Sequence, residues 1–382
     1  MKVLVLYDYP ASPGGLATQG DLLYRGLKEV GVDAFPVNFE SAQEKEWYYR
    51  WFTPDVVVGI GYWGHTPHLV LHPHRYGVTP VPWLVADGYL ANYREILDGL
   101  PLVFVTSNWV KKVYTRDGLN GENIEVLPVG CDTDAFRPLD KSDPKVMAVR
   151  EALGVAPDQL MVLTIGGDAA SKGAQEVMQA LSLIDTKAPD WKYVCKVWPQ
   201  PRTEQQNLHD LQLATHLGIE KNVVYTTSRI SRNFMPYLVA ACDIYAAPSR
   251  LEGFGMIQVE ANACEKPVIG IKAMGMLDTM VHGKTAFLAG VAQEIRMRET
   301  TLGNESGYEE GHRIVFRTPR TVDYRASIHD IADHLLALMT DAKLRKKMGE
   351  AGRKRVVANY DYRVVAKRFL DLVSEKLGMS QT

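Results

Sequence analysis

The chain reads Pro248-Ser249-Arg250-Leu251-Glu252-Gly253-Phe254-Gly255 about two-thirds of the way along, and continues through Met256 to Val259 into Glu260-Ala261-Asn262-Ala263-Cys264. Two carboxylates, Glu252 and Glu260, stand eight positions apart. The glycines between them let backbone N–H groups approach a ligand, and the apolar run predicts a helix that starts in this turn. The positive end of such a helix favours an anionic ligand, whereas the two acids suit the hydroxyl groups of a sugar or ribose.

Composition and charge narrow the classes of protein to which the chain can belong. The chain has 382 residues, 46% of them hydrophobic and 23% charged, and a formal net charge of -2. It is long enough for two ordinary domains, and it has no global basic field that would indicate nucleic acid. No apolar stretch approaches the ~20 residues of a membrane span, and Met1 to Asp8 resembles a buried strand more than a signal peptide. Four cysteines without a C-x-x-C pair favour a reduced, cytoplasmic setting.

Short β-rich runs alternate with helical patterns in both halves of the chain, which favours doubly wound parallel sheets. The predicted strands of the first half are Lys2 to Tyr7, Asp55 to Val58, Pro82 to Val85, Leu102 to Thr106 and Ile124 to Leu127, with helices over Gly20 to Val30 and Trp109 to Tyr114. Those of the second half are Leu160 to Ile165, Tyr193 to Val197, Val223 to Tyr225, Asp243 to Ala246 and Pro267 to Ile271, with a helix over Gly173 to Ile184. A polar, proline-bounded linker near Phe136 to Pro144 separates the halves.

The opening stretch, extended by Pro267-Val268-Ile269, resembles the E-x7-E segment of the retaining family-4 glycosyltransferases, which have the GT-B fold. The resemblance implies an α/β protein with two Rossmann-like, doubly wound domains facing a cleft. The amphipathic last helix, Tyr362 to Leu377, would cross back to the first domain. We therefore expect an acceptor-side domain over residues 1–140 plus 361–382, and a nucleotide-sugar-binding domain over 141–360.

The same resemblance implies transfer of a sugar from a nucleotide diphosphate sugar, UDP- or GDP-linked, to an acceptor hydroxyl with retention of configuration. Glu252 would lie near the transferred sugar and Glu260 would accept the ribose hydroxyls. Backbone N–H groups around Gly253, Phe254 and Gly255 would contact the sugar or its phosphates. The leaving phosphate can take the acceptor's proton, so neither a protein nucleophile nor a metal or other cofactor is expected.

A second glycine-rich turn, Gly166-Gly167-Asp168-Ala169-Ala170-Ser171-Lys172-Gly173, follows a predicted strand and opens a helix. It resembles the family's Gly-Arg-Leu-x-x-x-Lys-Gly, whose two basic residues hold the donor's diphosphate. Lys172 matches the lysine, but Gly167 stands where the family has arginine, so a bidentate fork is lost. Arg250 or Arg229 could supply the missing charge.

The first βα turn ends in Gly14 and Gly15, whose backbone could close on a ligand. In the resembled family this loop faces the donor's phosphates as well as the acceptor, so both glycines are expected to bind the donor. The predicted strand that ends at Val85 leads to Asp87, where the family often has a histidine. An acid there could orient the acceptor or stabilise positive charge on the sugar; a structural N-cap is the alternative.

Some patterns leave alternatives open. Gly59 to Gly64 is a formal G-x-G-x-x-G, but prolines spoil the helix that should follow, so we expect a loop on the acceptor side rather than a dinucleotide site. His65, His68, His72 and His74 could bind a metal only with difficulty, because prolines lie between them. Thr226 and Thr227 replace the usual glycine of the base-binding turn, so the base is not specified.

Two charged segments are unassigned. Gly290 to His312 is predicted to be an insertion, either a lid or partner-binding loop or a solvated loop. The basic run Lys343 to Arg355 predicts a solvated helix face, with weak contact to a membrane or nucleic acid as the alternative. The other functions considered are a GT-B binding or scaffold subunit with little turnover, motivated by Gly167, and a nucleic-acid-modifying glycosyltransferase. The acceptor (saccharide, lipid-linked or other hydroxyl) and the oligomeric state are not specified.

Overall fold

A computed structural model describes residues 1–86 and 88–379. The chain divides into two compact units. The first comprises residues 1–130, 296–321 and 359–382, and the second comprises residues 131–295 and 322–358.

The first 130 residues form a βα series, as the alternating apolar runs predict. Its elements are β1 (Lys2–Tyr7), α1 (Gly15–Glu29), β2 (Asp33–Asn38), α2 (Ala42–Trp51), β3 (Val56–Tyr62), α3 (His72–Arg75), β4 (Thr79–Val85), α4 (Arg94–Asp98), β5 (Val103–Val105), α5 (Asn108–Arg116) and β6 (Ile124–Val126). The strands pair in parallel in the order β2-β1-β3-β4-β5-β6. All of them except β2 are predicted from the sequence within a few residues.

The series restarts after the linker. Its elements are α6 (Pro144–Ala152), β7 (Leu160–Ile165), α7 (Ala174–Ile184), β8 (Trp191–Val197), α8 (Pro201–His216), β9 (Val223–Thr227), α9 (Met235–Ala241), β10 (Ile244–Ala246), α10 (Met256–Ala263), β11 (Val268–Ile271), α11 (Met276–Thr279) and β12 (Ala286–Ala289). This sheet is also six-stranded and parallel, in the order β12-β11-β10-β7-β8-β9. The strand order reverses between β7 and β10, and open α/β sheets bind ligands beyond the carboxyl ends of the strands at such a point.

The predicted insertion is not a loop. It contains β13 (Val291–Leu302) and ends at His312, where β14 (His312–Ala326) begins; the two strands pair as a separate two-stranded sheet. We call residues 291–326 the ribbon. The middle of the ribbon, residues 296–321, packs within the first unit, although the sequence analysis assigned this segment to the second domain.

Three helices end the chain: α12 (Ile328–Thr340), α13 (Ala342–Asn359) and α14 (Tyr362–Leu377). The last of these packs against α1 in the first unit, as predicted. Gly26 of α1 leaves room for this contact, because a Cβ there would lie 2.6 Å from the carbonyl oxygen of Tyr362. Within the described part of the chain, no helix is both long and apolar enough to cross a membrane.

The basic run predicted as a solvated face lies on α13, but three of its arginines are used inside the second unit. Arg353 donates to the carbonyl oxygen of Ala263 at 2.7 Å, and Arg355 donates to that of Asp278 at 2.7 Å. Arg345 donates to that of Leu338 at 2.6 Å. The lysines of the run therefore carry most of its charge at the surface.

Candidate functional site

The turn between β10 and α10 holds the two carboxylates in different settings. Glu252 lies in the turn before the helix, whereas Glu260 lies inside α10. Gly255 forms the N-cap of α10 with a φ of +91°, a conformation that favours glycine. The next turn comes so close that a Cβ at Gly275 would overlap the carbonyl oxygen of Gly253. Glycines thus allow the two turns to pack against each other.

Lys172 and Glu252 form an ion pair in which Lys172 Nζ lies 2.8 Å from Glu252 Oε2. The other carboxylate oxygen accepts the N–H groups of Gly255 at 3.0 Å and Phe254 at 3.4 Å. Burial works to raise the pKa of Glu252, but Lys172 and these N–H groups outweigh it and lower the pKa. Burial works to lower the pKa of Lys172, and Glu252 outweighs it and raises the pKa. Both groups are therefore charged at neutral pH.

Glu260 is 1% exposed and contacts Arg232 through Oε1. Its Oε2 has no hydrogen-bond partner among the described residues. Burial raises the pKa of Glu260, and the nearby Arg232 offsets only part of that shift. Arg232 itself lies over the ring of Phe136, with its guanidinium carbon 4.7 Å from the centroid. One buried carboxylate oxygen is therefore available to a hydroxyl donor.

The turn between β7 and α7 lies against the turn after β10. A Cβ at Gly173 would lie 2.5 Å from the carbonyl oxygen of Pro248, and the Arg250 N–H donates to the carbonyl oxygen of Ser171 at 2.9 Å. The structure thus brings Lys172 to Glu252 at the point where the strand order reverses, although 80 positions separate them.

Gly166 and Gly167 continue the pairing between β7 and β8. The Gly166 N–H donates to the carbonyl oxygen of Lys196 at 3.0 Å, and the Trp198 N–H donates to that of Gly167 at 3.0 Å. A Cβ at Gly167 would meet the Trp198 ring at 3.5 Å, an ordinary contact. Space at Gly167 therefore does not explain why arginine is missing there.

Arg250 does not provide the missing cation, in contrast to one suggestion from the sequence. Its guanidinium binds both carboxylate oxygens of Glu176, at 3.1 and 3.0 Å, and also donates to Gln175 at 2.9 Å. Arg325 lies 3.3 Å from the same Glu176 carboxylate. The alternative, Arg229, is an exposed residue after β9.

Lys196 is a cation that sequence reasoning missed. It lies near the carboxyl end of β8, pairs with Ile165 of β7, and is only 4% exposed. None of the residues in 1–86 or 88–379 pairs with its ammonium group. Burial lowers the pKa of Lys196. A single charged residue inside the apolar strand Tyr193 to Val197 was the signal that could have found it.

The acceptor-side residues lie in the first unit. Gly14 is the N-cap of α1, and Gly15 is its first residue. Asp87 lies outside the described residues, so its predicted role stays a prediction. The predicted loop at Gly59 to Gly64 is wrong for its first part, because residues 59–62 continue β3 and only Trp63–His65 forms a short helical turn.

The histidine cluster packs into the first unit. His65 stacks on Phe39 with ring centroids 4.8 Å apart, and His68 meets the same ring edge-on at 5.7 Å. Within residues 1–86 and 88–379, no group of three or more His, Cys, Asp or Glu side chains is arranged to hold a metal ion.

Comparison with known proteins agrees with this geometry. Residues 147–299 match the family model of the glycosyl transferases group 1. A GDP-mannose-dependent α-(1-6)-phosphatidylinositol monomannoside mannosyltransferase of Mycolicibacterium smegmatis is 26% identical over 312 residues, which covers 79% of this chain and 68% of that protein. A D-inositol 3-phosphate glycosyltransferase of Rhodococcus erythropolis is 24% identical over 258 residues, or 65% of this chain and 56% of that protein.

Solved structures share the whole architecture. A glycosyltransferase from Rickettsia africae superposes with a TM-score of 0.75 at 16% identity and covers 99% of both chains. Sucrose-phosphate synthase from Thermosynechococcus elongatus superposes with a TM-score of 0.72 at 16% identity and also covers 99% of both chains. Anabaena HepE, solved in complex with UDP and glucose, gives 0.70 at 17% identity and covers 98% of this chain and 100% of that one. Likeness at this level of identity establishes the fold.

Two parallel six-stranded sheets, with the Lys172–Glu252 ion pair at the strand-order reversal of the second, give the chain the GT-B fold. Within this fold, residues 147–299 carry the match to the group 1 glycosyl transferases, and the sequence relatives named above are glycosyltransferases.

Proposed function

We propose that the second unit binds a nucleoside diphosphate sugar, and that the sugar passes, with retention of configuration, to a hydroxyl acceptor bound by the first unit. The observation that carries this proposal is the arrangement around α10. The Lys172–Glu252 ion pair lies beside the turn that precedes this helix. Glu260, within the helix, has one buried carboxylate oxygen without a partner among the described residues.

Each side chain has a role that its contacts support. Lys172, together with N–H groups of the turn, stabilises the negative charge that develops on the leaving diphosphate. Glu260 accepts a ribose hydroxyl through Oε2, because a buried carboxylate gains from a hydrogen bond that it otherwise lacks. Glu252 accepts a hydroxyl of the transferred sugar.

In the free protein, Glu252 neutralises Lys172 at 2.8 Å. A bound donor would replace this ion pair with two contacts of its own. A phosphate oxygen would bind the Lys172 ammonium group, and a sugar hydroxyl would donate to the Glu252 carboxylate. After the exchange the ammonium group is paired with the negative phosphate, and the carboxylate keeps its backbone N–H donors and gains a hydroxyl donor.

The chemical step follows from these charges. The bond between the sugar's anomeric carbon and the diphosphate oxygen breaks, which leaves oxocarbenium-like positive charge on the sugar and negative charge on the diphosphate. The acceptor oxygen attacks from the face that the diphosphate leaves and gives its proton to a phosphate oxygen. The protein's contribution is positioning and electrostatic stabilisation.

The relatives suggest substrates to test first. GDP-mannose is the donor named for the mycobacterial relative, and UDP-glucose is bound in a solved structure of Anabaena HepE. Inositol-containing acceptors appear in the names of both sequence relatives described above. We infer a donor of one of these two kinds, a polyol hydroxyl as acceptor, and a cytoplasmic site of action.

The direct test is release of nucleoside diphosphate from GDP-mannose and from UDP-glucose, with D-inositol 3-phosphate or phosphatidylinositol in detergent as acceptor. NMR of the product's anomeric proton reports the configuration. We expect release with one of the donors and a product with the donor's anomeric configuration. An inverted product would contradict the proposed course of the reaction.

A scaffold subunit with little turnover remains the second candidate, because Gly167 stands where the resembled family has arginine. This candidate predicts a thermal shift with nucleotide but no release from any donor. Absence of both the shift and the release would overturn donor binding itself.

A further inference from the structure

We propose that the ribbon positions the acceptor: its middle segment, residues 296–321, fixes the loop after β4, with Arg320 and Asp117 as the main positioning pair. The inference rests on the proposed function, since it assigns part of the acceptor side of that reaction. The loop in question, residues 88–94, follows the strand end whose neighbour Asp87 is predicted to face the acceptor.

The connection between the two ribbon strands contacts this loop directly. Asn92 Nδ2 donates to the carbonyl oxygen of Ser306 at 2.9 Å, and the Tyr308 hydroxyl donates to that of Ala91 at 2.8 Å. Gly307, with a φ of +77°, passes so close to the Tyr93 hydroxyl that a Cβ would overlap it. Any larger residue at Gly307 would push the loop away.

Asp117 connects the ribbon to the backbone of the loop. Its side chain is 2% exposed, and Oδ1 lies 2.8 Å from Arg320 Nη2. The other oxygen accepts the Leu90 N–H at 2.8 Å. Arg116 binds the same carboxylate and also donates to the carbonyl oxygen of Gly88 at 2.7 Å. Without Arg320, this carboxylate would lose one of its two cations and hold the loop less firmly.

Apolar contacts support the same arrangement. Phe316 of β14 is 6% exposed, and its ring lies 5.1 Å from that of Tyr89. The Arg320 guanidinium carbon lies 5.1 Å from the Phe316 centroid. Leu302, at the end of β13, packs against the core of the first unit. These buried contacts are typical of a fixed wall rather than of a lid.

The loop that the ribbon holds also lines a cavity of about 470 Å³, formed by residues 90–96 and Asp117. A cavity of this size accommodates a small ligand. Because Asp117 both lines the cavity and binds Arg320, the shape of the cavity depends on the ribbon. Displacement of the loop should therefore weaken acceptor binding and leave the nucleotide site of the second unit unchanged.

The test compares Arg320→Gln with Arg320→Lys, and uses Arg313→Gln as the matched control. Arg313 also lies on β14 and pairs with a carboxylate, but its partner Glu299 is exposed and belongs to the ribbon itself. Tyr308→Phe, which removes a single hydroxyl, serves as a second variant should Arg320→Gln fail to fold.

Amide hydrogen exchange is measured across residues 88–94, nucleotide affinity is measured with GDP and UDP, and KM is measured with D-inositol 3-phosphate and glycerol as acceptors. We expect exchange in the loop to rise roughly tenfold in Arg320→Gln. Acceptor KM should rise by a similar factor at nearly unchanged kcat and nucleotide affinity. Arg320→Lys should restore part of both effects, and Arg313→Gln should behave as wild type.

Wild-type exchange in Arg320→Gln and Tyr308→Phe would overturn the inference. Faster exchange with an unchanged acceptor KM would overturn the positioning role. If the wild type transferred no sugar at all, the proposed function would fail, while the exchange measurements would still decide whether the ribbon fixes the loop.

Discussion

The two carboxylates of the second unit differ in what their oxygens contact. Glu252 has both oxygens engaged, one by Lys172 and one by backbone N–H groups. Glu260 has one oxygen against Arg232 and one that no residue in 1–86 or 88–379 contacts by a hydrogen bond. A ligand hydroxyl can therefore add to Glu260 without breaking a contact, whereas at Glu252 it must replace one.

Glu252→Gln should tighten the binding of GDP or UDP and slow sugar transfer at the same time. Glutamine cannot neutralise Lys172, so the ammonium group becomes available to phosphate, whereas the sugar loses its charged acceptor. Calorimetric titration should show an affinity gain of roughly fivefold, equivalent to about 1 kcal/mol. Glu151→Gln, at an exposed position on α6, is the control. A loss of nucleotide affinity in Glu252→Gln would contradict the exchange of partners.

Lys196→Met should stabilise the ligand-free protein. Lys196 is 4% exposed as a residue, and its ammonium group pairs with none of the described residues, which costs free energy, whereas methionine has a similar shape without the charge. We expect a gain in unfolding free energy of roughly 1–2 kcal/mol, from the cost of burying an unpaired polar group. Lys192→Met is the matched control, because Lys192 lies on the same strand but donates to the carbonyl oxygen of Lys221 at 2.9 Å. Equal effects of the two substitutions would show that burial of Lys196 carries no penalty.

At the scale of elements, β3 and the turn after it show how a glycine motif can serve packing. A Cβ at Gly59 would lie 2.8 Å from Leu69, and one at Gly61 would lie 2.5 Å from His65 Nδ1. These glycines let the segment after β3 lie against the strand. The G-x-G spacing here reflects close packing, not a phosphate site.

The same packing makes the first unit sensitive to acid. Burial lowers the pKa of His65 to about 4, against an ordinary value near 6.5. Because the folded-state pKa is the lower one, the neutral form stabilises the fold above about pH 6.5, and this stability is lost as the pH falls towards 4. The shift of the pKa from 6.5 to about 4 sets an upper limit of about 3 kcal/mol on this loss.

Urea midpoints measured between pH 7.5 and 4.5 test this expectation. His65→Gln should flatten the decrease with falling pH, whereas His216→Gln, at an exposed position on α8, should leave it unchanged. A slope in His65→Gln as steep as that of the wild type would mean that another group carries the acid sensitivity.

At the scale of the whole molecule, the sequence predicts the buried strands well, because a strand covered on both faces is a continuous apolar run. β2 does not follow this pattern, because Asp33, Pro36 and Asn38 interrupt its apolar run. Its position explains the exception: β2 is an edge strand of the first sheet, where proline is tolerated.

The site is predictable only where its residues form one local motif. Such motifs predict Glu252, Glu260 and Lys172, whose roles stay predictions, but they give no sign of the contact between Glu260 and Arg232, which lie 28 positions apart. Arg320 of the ribbon and Asp117 after α5 are even farther apart in the sequence. Contacts of this kind depend on topology, and one sequence carries no local signal of them.

The central claim is that Lys172 and Glu260 hold a nucleoside diphosphate sugar in the second unit, and calorimetric titration of GDP-mannose and UDP-glucose tests it most directly. We predict one site per chain for at least one donor, with affinity reduced roughly tenfold or more in Lys172→Ala and in Glu260→Gln, as expected for lost charged hydrogen bonds. Lys187→Ala, at an exposed position of the same unit, should bind as wild type. Unchanged donor affinity in both Lys172→Ala and Glu260→Gln would contradict the account.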